Sequence, residues 1–80
     1  MLRYLLHHQH EPQECGVAFA AFKGRRSPLR GQEALASCAY GGHAIWWVVD
    51  ASSEQQALGQ LPYYLAERAT ATRVSPVEFP

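Results

Sequence analysis

The alternation of hydrophobic and polar positions predicts a strand over residues 2–9, followed by a helix. In the strand, one face carries Leu2, Tyr4, Leu6 and His8, and this is the better core face. The helix begins at Pro12, which suits a first helical position, and Gly24 is a good stop after its end. Helical spacing predicts a buried stripe made of Cys15, Ala18, Phe19 and Phe22.

Residues 33–50 are predicted to form a β-hairpin. Strands 33–40 and 43–50 are joined by Gly41 and Gly42, a pair that permits the positive φ angles of a two-residue type I′ turn. In that register Tyr40 opposes His43, Cys38 opposes Ile45 and Ala36 opposes Trp47. Both faces of the hairpin are apolar, whereas a sheet with one wet face alternates apolar and polar residues. We therefore expect a second copy of the chain to cover the second face, giving a homodimer.

A second helix is predicted over residues 52–68 and a last strand over residues 70–79. Pro62 should kink or split the helix, and Pro76 restricts the strand end to an edge position. The predicted order is strand, helix, strand, strand, helix, strand. This order is the ferredoxin-like α+β pattern, an antiparallel four-stranded sheet with two helices on one face, in a single domain over residues 1–80.

Composition narrows the function classes. Seven Lys and Arg balance seven Asp and Glu, so the net charge is zero, which argues against a nucleic-acid partner. No apolar run approaches the ~20 residues that span a bilayer, and the N-terminus does not read as a signal peptide. Two cysteines cannot form a disulfide framework. We expect a cytoplasmic protein with reduced thiols and no membrane partner.

The C-terminal third carries a family resemblance in Ser52-Ser53-Glu54, Leu61-Pro62-Tyr63-Tyr64 and Thr72-Arg73-Val74-Ser75-Pro76-Val77. With the element order, these residues resemble the dimeric α+β barrel superfamily, whose small members include muconolactone isomerases and YCII-type proteins. In those proteins a Pro-aromatic step in the second helix likewise precedes a strand with a Pro-Val type of ending. The resemblance implies a dimeric fold with a cleft between sheet and helices. It transfers no catalytic residue, because the lone Asp50 ends a strand and forms no His–Asp dyad.

The candidate chemistry lies in the stretch from His7 to Cys15. His8 and His10 share one strand face, about 6.5–7 Å apart along the chain, and Cys15 lies in the first helical turn, which stabilises a thiolate. Imidazole and thiolate are suitable ligands for Zn, Cu or Ni. The antiparallel neighbour of the first strand would bring Cys38 and His43 to the same end, so one cluster of His8, His10, Cys15, Cys38 and His43 is geometrically possible.

Several interpretations of these residues stay open. The cysteines could be small core residues, with the histidines closing a strand and a helix end. The histidines and cysteines could instead form a metal site made of His8, His10, Cys15, Cys38 and His43. Alternatively, His8, His10 and His43 could act as general acid and base on a small-molecule ligand in the cleft, as in a muconolactone-isomerase-like enzyme. A protein-interaction module that uses its apolar sheet face is a further alternative.

Overall fold

Four antiparallel strands in the order β2-β3-β1-β4 form one open sheet, described here by a computed structural model that covers residues 1–80. The strands are β1 (Leu2–Gln9), β2 (Leu35–Ala36), β3 (Ala44–Ala51) and β4 (Ala69–Val74). The helices are α1 (Cys15–Ala20), α2 (Glu54–Leu58) and α3 (Tyr63–Ala66), and single 3-10 turns cover Pro12–Glu14 and Cys38–Tyr40. The predicted α+β class is confirmed.

The core lies on one face of the sheet, where β1 is flanked by β3 and β4. Tyr4, Leu6 and His8 of β1 are buried, as their alternation predicts. Their register partners in β3 are Val49, Trp47 and Ile45, which are buried as well. The helical layer covers this face with buried residues that are all apolar, namely Ala18, Ala57, Leu61 and Leu65. The buried polar residues are His8, at 0% exposure, and His10, at 5%.

The second helical segment is split at the predicted proline. Ser53 caps α2 because its Oγ accepts a hydrogen bond from the Gln56 N–H at 3.1 Å. Pro62 cannot continue the helix because it lacks an N–H, and it instead becomes the N-cap residue that precedes α3. The split lets the chain turn, so that Leu65 reaches the interior.

The predicted hairpin over residues 33–50 is wrong in its turn, its register and the length of its first strand. A type I′ turn needs positive φ at both central residues, and Gly41 (φ 86°) has it while Gly42 does not. Instead, the Ser37 carbonyl accepts the N–H groups of Tyr40 and Gly42 at 3.0 Å, which closes a longer loop. Ala36 therefore pairs with Ile45 and not with Trp47, a shift of two residues that keeps the same face inward.

Two other predicted boundaries need correction. The first helix ends at Ala20. From there to Gly24, whose φ is +72°, the chain continues in hydrogen-bonded turns and not in an α-helix. Phe19 is not part of the buried stripe: it is 60% exposed, since only Ala18 of α1 faces the sheet closely enough to be fully covered. The last strand ends at Val74 and not at residue 79, because ladder pairing with β1 stops there.

The second face of the sheet, called the outer face here, is apolar and open. It carries Leu5, Leu35, Trp46 and Val48, and the Trp46 ring stacks on His7 with 5.3 Å between centroids. Leu35 and Val48 are 70% and 63% exposed. In β3, Val48 thus faces outward while Ile45, Trp47 and Val49 face the core, which is the division of faces predicted for this strand. None of the helices has the length and apolarity that crossing a membrane requires.

Candidate metal centre

Two short chain segments bring two histidines and two cysteines to one end of the sheet. In the first, His10 follows β1 and Cys15 begins α1, with the turn Pro12–Glu14 between them. In the second, Cys38 begins a 3-10 turn and His43 precedes β3. The segments are joined by the backbone, since the His10 N–H donates to the His43 carbonyl at 3.1 Å. The antiparallel pairing of β1 and β3 therefore places the two segments side by side.

Local hydrogen bonds shape each segment. In the first, the Glu14 side chain accepts the Glu11 N–H at 3.0 Å, which closes a capping box around Pro12. In the second, Ser37 Oγ accepts the Ala44 N–H at 3.1 Å. A Cβ on Gly42 would lie 2.8 Å from the Ser37 Cβ, so only glycine permits this close approach. His43 has a φ of +51°, in the left-handed region that is strained for non-glycine residues.

The four side chains form a compact group of ligand atoms, called the His/Cys cluster here: His10, Cys15, Cys38 and His43. One nitrogen or sulfur atom from each lies within 4.8 Å of all the others. His10 Nε2 is 3.2 Å from Cys15 Sγ and 3.4 Å from Cys38 Sγ. Cys15 Sγ is also 3.0 Å from His43 Nδ1. The ligand atoms therefore converge on one point between the two segments.

These distances can be compared with those of a tetrahedral site. Zinc–sulfur bonds of about 2.3 Å and zinc–nitrogen bonds of about 2.05 Å place neighbouring N and S ligands about 3.5 Å apart. The measured N···S separations of 3.0, 3.2 and 3.4 Å are slightly shorter. The spacing of these atoms is thus close to that of a tetrahedral metal site.

His8 lies next to the cluster but outside it. Its Nε2 is 3.1 Å from His10 Nδ1, the ring nitrogen that points away from the cysteines. Its Nδ1 is 3.0 Å from the Leu65 carbonyl oxygen. Of the five residues predicted from the sequence, the structure therefore brings four ligand atoms together and places His8 behind one of them. His7 is on the outer face, as its alternation with His8 predicts.

Burial gives the cluster an electrostatic character that suits metal binding. Burial lowers the pKa of His10, and the neighbouring His43 lowers it further, so the imidazole is neutral near pH 7. A neutral imidazole is the form that binds a metal. Burial raises the pKa of Cys38, and the Cys15 thiol beside it acts in the same direction. Two thiolates side by side are thus unfavourable without a cation between them.

A second polar group connects the cluster to the helical layer. Tyr64 donates its hydroxyl to Glu14 Oε2 at 2.6 Å, and Arg68 approaches the same oxygen at 3.4 Å. The Tyr64 hydrogen bond, together with the bond from Glu11, lowers the pKa of Glu14. Glu14 precedes Cys15, so this group holds the start of α1 against α3. Its charges are paired with each other, and it supplies no ligand atom to the cluster.

The burial of the histidines and the positions of the cavities do not favour the predicted acid–base role. His8 is 0% and His10 is 5% exposed, and only His43 is half-buried. None of the five main cavities is lined by a histidine. A mostly apolar cavity of about 250 Å³ lies between α1 and the sheet, walled in part by Phe19, Phe22 and Trp47. No observation favours catalysis by His8, His10 and His43, which stays a prediction.

A spacing signal that the sequence interpretation missed could have identified the four ligands. Four residues separate His10 from Cys15, and four residues separate Cys38 from His43, so the chain reads His-x₄-Cys and then Cys-x₄-His. Paired ligands at short, matched spacing are typical of zinc sites built from two turns. The same signal leaves out His8, which has no partner at that spacing.

Comparison with known proteins adds no functional assignment. No protein-family model, curated protein or solved structure matches the chain. Interpretation of the site therefore depends on its own geometry.

Proposed function

We propose that this protein binds one transition-metal ion, Zn²⁺ in the first instance, through His10 Nε2, Cys15 Sγ, Cys38 Sγ and His43 Nδ1. The observation that carries the proposal is the convergence of these four atoms within 4.8 Å. Two thiolates and two neutral imidazoles form the Cys₂His₂ ligand set of structural zinc sites. Two negative thiolates also balance the double charge of the ion, which suits a half-buried position.

The four-ligand set favours a structural role over a catalytic one. A catalytic zinc keeps three protein ligands and leaves one position open for water or substrate. Here all four tetrahedral positions are supplied by the chain. The ion would join the end of β1, the start of α1 and the segment before β3. An 80-residue chain buries only about 60% of its unfolded surface, so such a cross-link adds stability where the core is small.

The ligand set also ranks the candidate metals. Tetrahedral S₂N₂ geometry is typical of zinc, whereas Ni²⁺ and Cu²⁺ prefer planar or tetragonal arrangements. Soft thiolates additionally suit Cu⁺. Zinc is therefore our first choice, with copper and nickel as the competitors that a measurement must compare.

Elemental analysis of protein purified without a histidine tag tests the proposal. After growth with zinc, copper and nickel supplied together, we expect close to one zinc per chain. The matched control is His7→Gln, which changes a histidine on the outer face and should keep the metal. The double variant Cys15→Ser/Cys38→Ser should lose it. Less than about 0.1 metal per chain in the unmodified protein, or equal metal in the double variant, would refute the site.

Substitution with cobalt tests the geometry independently. Co²⁺ in a tetrahedral thiolate–imidazole site absorbs strongly in the visible range and shows thiolate-to-metal charge transfer. We expect this spectrum to saturate at one equivalent and to disappear on addition of zinc. A weak, octahedral-type spectrum would contradict coordination by Cys15 and Cys38.

We also propose that the chain has a ferredoxin-like fold and forms a homodimer through its outer face. The strand order β2-β3-β1-β4 supports the first part. The exposed Val48 and Leu35 beside Trp46 support the second, because the centre of the face carries no charge that an identical copy would repel. Light scattering at micromolar concentration should give twice the chain mass, and Val48→Lys should give a monomer. A monomeric unmodified protein would contradict the dimer.

A further inference from the structure

His8 is the only fully buried polar side chain of β1, and both of its ring nitrogens have partners. Nδ1 faces the Leu65 carbonyl at 3.0 Å, and Nε2 faces His10 Nδ1 at 3.1 Å. Neither partner is a carboxylate, so nothing in direct contact compensates a positive charge on His8. The opposite nitrogen of His10, Nε2, is the one directed at Cys15 and Cys38.

The carbonyl of Leu65 determines which ring nitrogens of His8 and His10 carry a proton. A carbonyl oxygen can only accept, so the proton of the neutral His8 ring must be on Nδ1. His8 Nε2 then has a lone pair and must accept from His10 Nδ1. The proton of His10 is therefore on Nδ1, and its Nε2 presents a lone pair to the His/Cys cluster. Each hydrogen bond in the series fixes the tautomer of the next ring.

We propose that His8 is a positioning residue of the metal centre, which holds His10 in the tautomer and ring orientation that offer Nε2 to the ion. This inference rests on the proposed metal binding. It also assigns different ligand atoms to the two histidines, Nε2 for His10 and Nδ1 for His43. Through Leu65, which is 1% exposed, the metal centre is joined to the end of α3 and not only to β1 and β3.

Substitutions at His8 separate the positioning role from simple packing. His8→Gln retains an acceptor oxygen near the place of Nε2, whereas His8→Leu removes both hydrogen bonds and leaves the His10 ring free to carry its proton on Nε2 instead of Nδ1. The removal of such outer hydrogen bonds lowers metal affinity by about 10- to 100-fold. We expect a loss of that size in His8→Leu, with recovery of most of it in His8→Gln. His7→Gln is the matched control on the adjacent position and should bind zinc as the unmodified protein does.

Zinc affinity is measured by competition with a chromophoric chelator. Affinity in His8→Leu within about threefold of the unmodified protein would overturn the inference while leaving the metal site intact. Absence of zinc binding in the unmodified protein would instead overturn the proposed function and this inference together. The two failures are therefore distinguishable.

Long-range ¹H–¹⁵N spectra of the histidine rings test the tautomers directly, and they do so even where His8→Leu does not fold. In the zinc-loaded unmodified protein we expect a protonated Nδ1 and a metal-bound Nε2 for His10, and the reverse for His43. His8 should show a protonated Nδ1 in both metal-free and loaded protein. Coordination of zinc through His10 Nδ1, or a protonated His8 Nε2, would overturn the inference.

Discussion

Zinc should raise the unfolding free energy of this protein by an amount that the position of the ligands allows us to estimate. The unfolded chain can still bind zinc through either His-x₄-Cys or Cys-x₄-His alone, because each pair is local. Binding through all four ligands would require the unfolded chain to close the segment of 22 residues between Cys15 and Cys38, whereas the folded chain already holds the two pairs side by side. Loop-closure entropy for this length gives about 3 kcal/mol.

This magnitude corresponds to a large thermal shift. For domains of this size each kcal/mol moves the melting temperature by about 4–8 °C, so we expect roughly 12–24 °C between metal-free and zinc-loaded protein. Trp46 and Trp47 supply the fluorescence signal for urea or thermal unfolding. The metal-free sample is prepared with a chelator under reducing conditions, so that no disulfide replaces the metal cross-link.

The control for this measurement is the pair of variants already described. His7→Gln should show the full shift, and Cys15→Ser/Cys38→Ser should show little or none. An equal shift in the double variant would mean that zinc acts elsewhere on the chain. A shift of only a few degrees in the unmodified protein would mean that zinc binds the unfolded chain almost as well as the folded chain, and would refute the loop-closure reasoning.

Three further outcomes are expected. The thiols of Cys15 and Cys38 should react faster with a disulfide reagent in metal-free protein than in zinc-loaded protein; equal rates would contradict thiolate coordination. Burial lowers the pKa of His8 below 6.5, so the unfolded chain takes up a proton that the folded chain does not. In metal-free protein, the contribution of His8 to the unfolding free energy should therefore be fully present above pH 6.5. It should decrease as the pH drops through that value towards the lower folded pKa. A constant urea midpoint between about pH 7.5 and about pH 5.5 would contradict this. Leu6→Ala removes a side chain of 0% exposure and should cost about 2–5 kcal/mol in unfolding free energy; a cost below about 1 kcal/mol would show that the site collapses freely.

The regular parts of the fold follow from sequence because their signals are local. Alternation over residues 2–9 identifies the buried face of β1, and Pro62 divides the second helical segment. The connection between β2 and β3 could not be predicted in the same way. Gly41-Gly42 by itself favours a two-residue turn. Ser37, however, accepts hydrogen bonds from three backbone N–H groups with its carbonyl and hydroxyl oxygens, and these bonds make a longer loop more favourable.

In the candidate site, too, some features follow from the sequence pattern and others depend on contacts between residues distant in sequence. That His8, His10, Cys15, Cys38 and His43 meet follows from the pairing of β1 with β3. Which of them supply ligand atoms depends on side-chain direction, since His8 is directed at the Leu65 carbonyl from an element 57 residues away. No pattern along the chain records that contact. The matched spacing of the other four residues, in contrast, is visible in the sequence, and it would have separated them from His8.

The order of the four proposed ligands along the chain would have a consequence for synthesis on the ribosome. All four ligands lie within residues 10–43, whereas β4, which completes the sheet beside β1, begins at Ala69. A nascent chain can thus present both ligand pairs before its last strand has emerged. Metal captured at that stage would hold β1 next to the start of β3 and keep the edge of β1 ready for β4. Zinc supply during translation, and not only after it, would then decide how much of the newly made protein reaches its folded state.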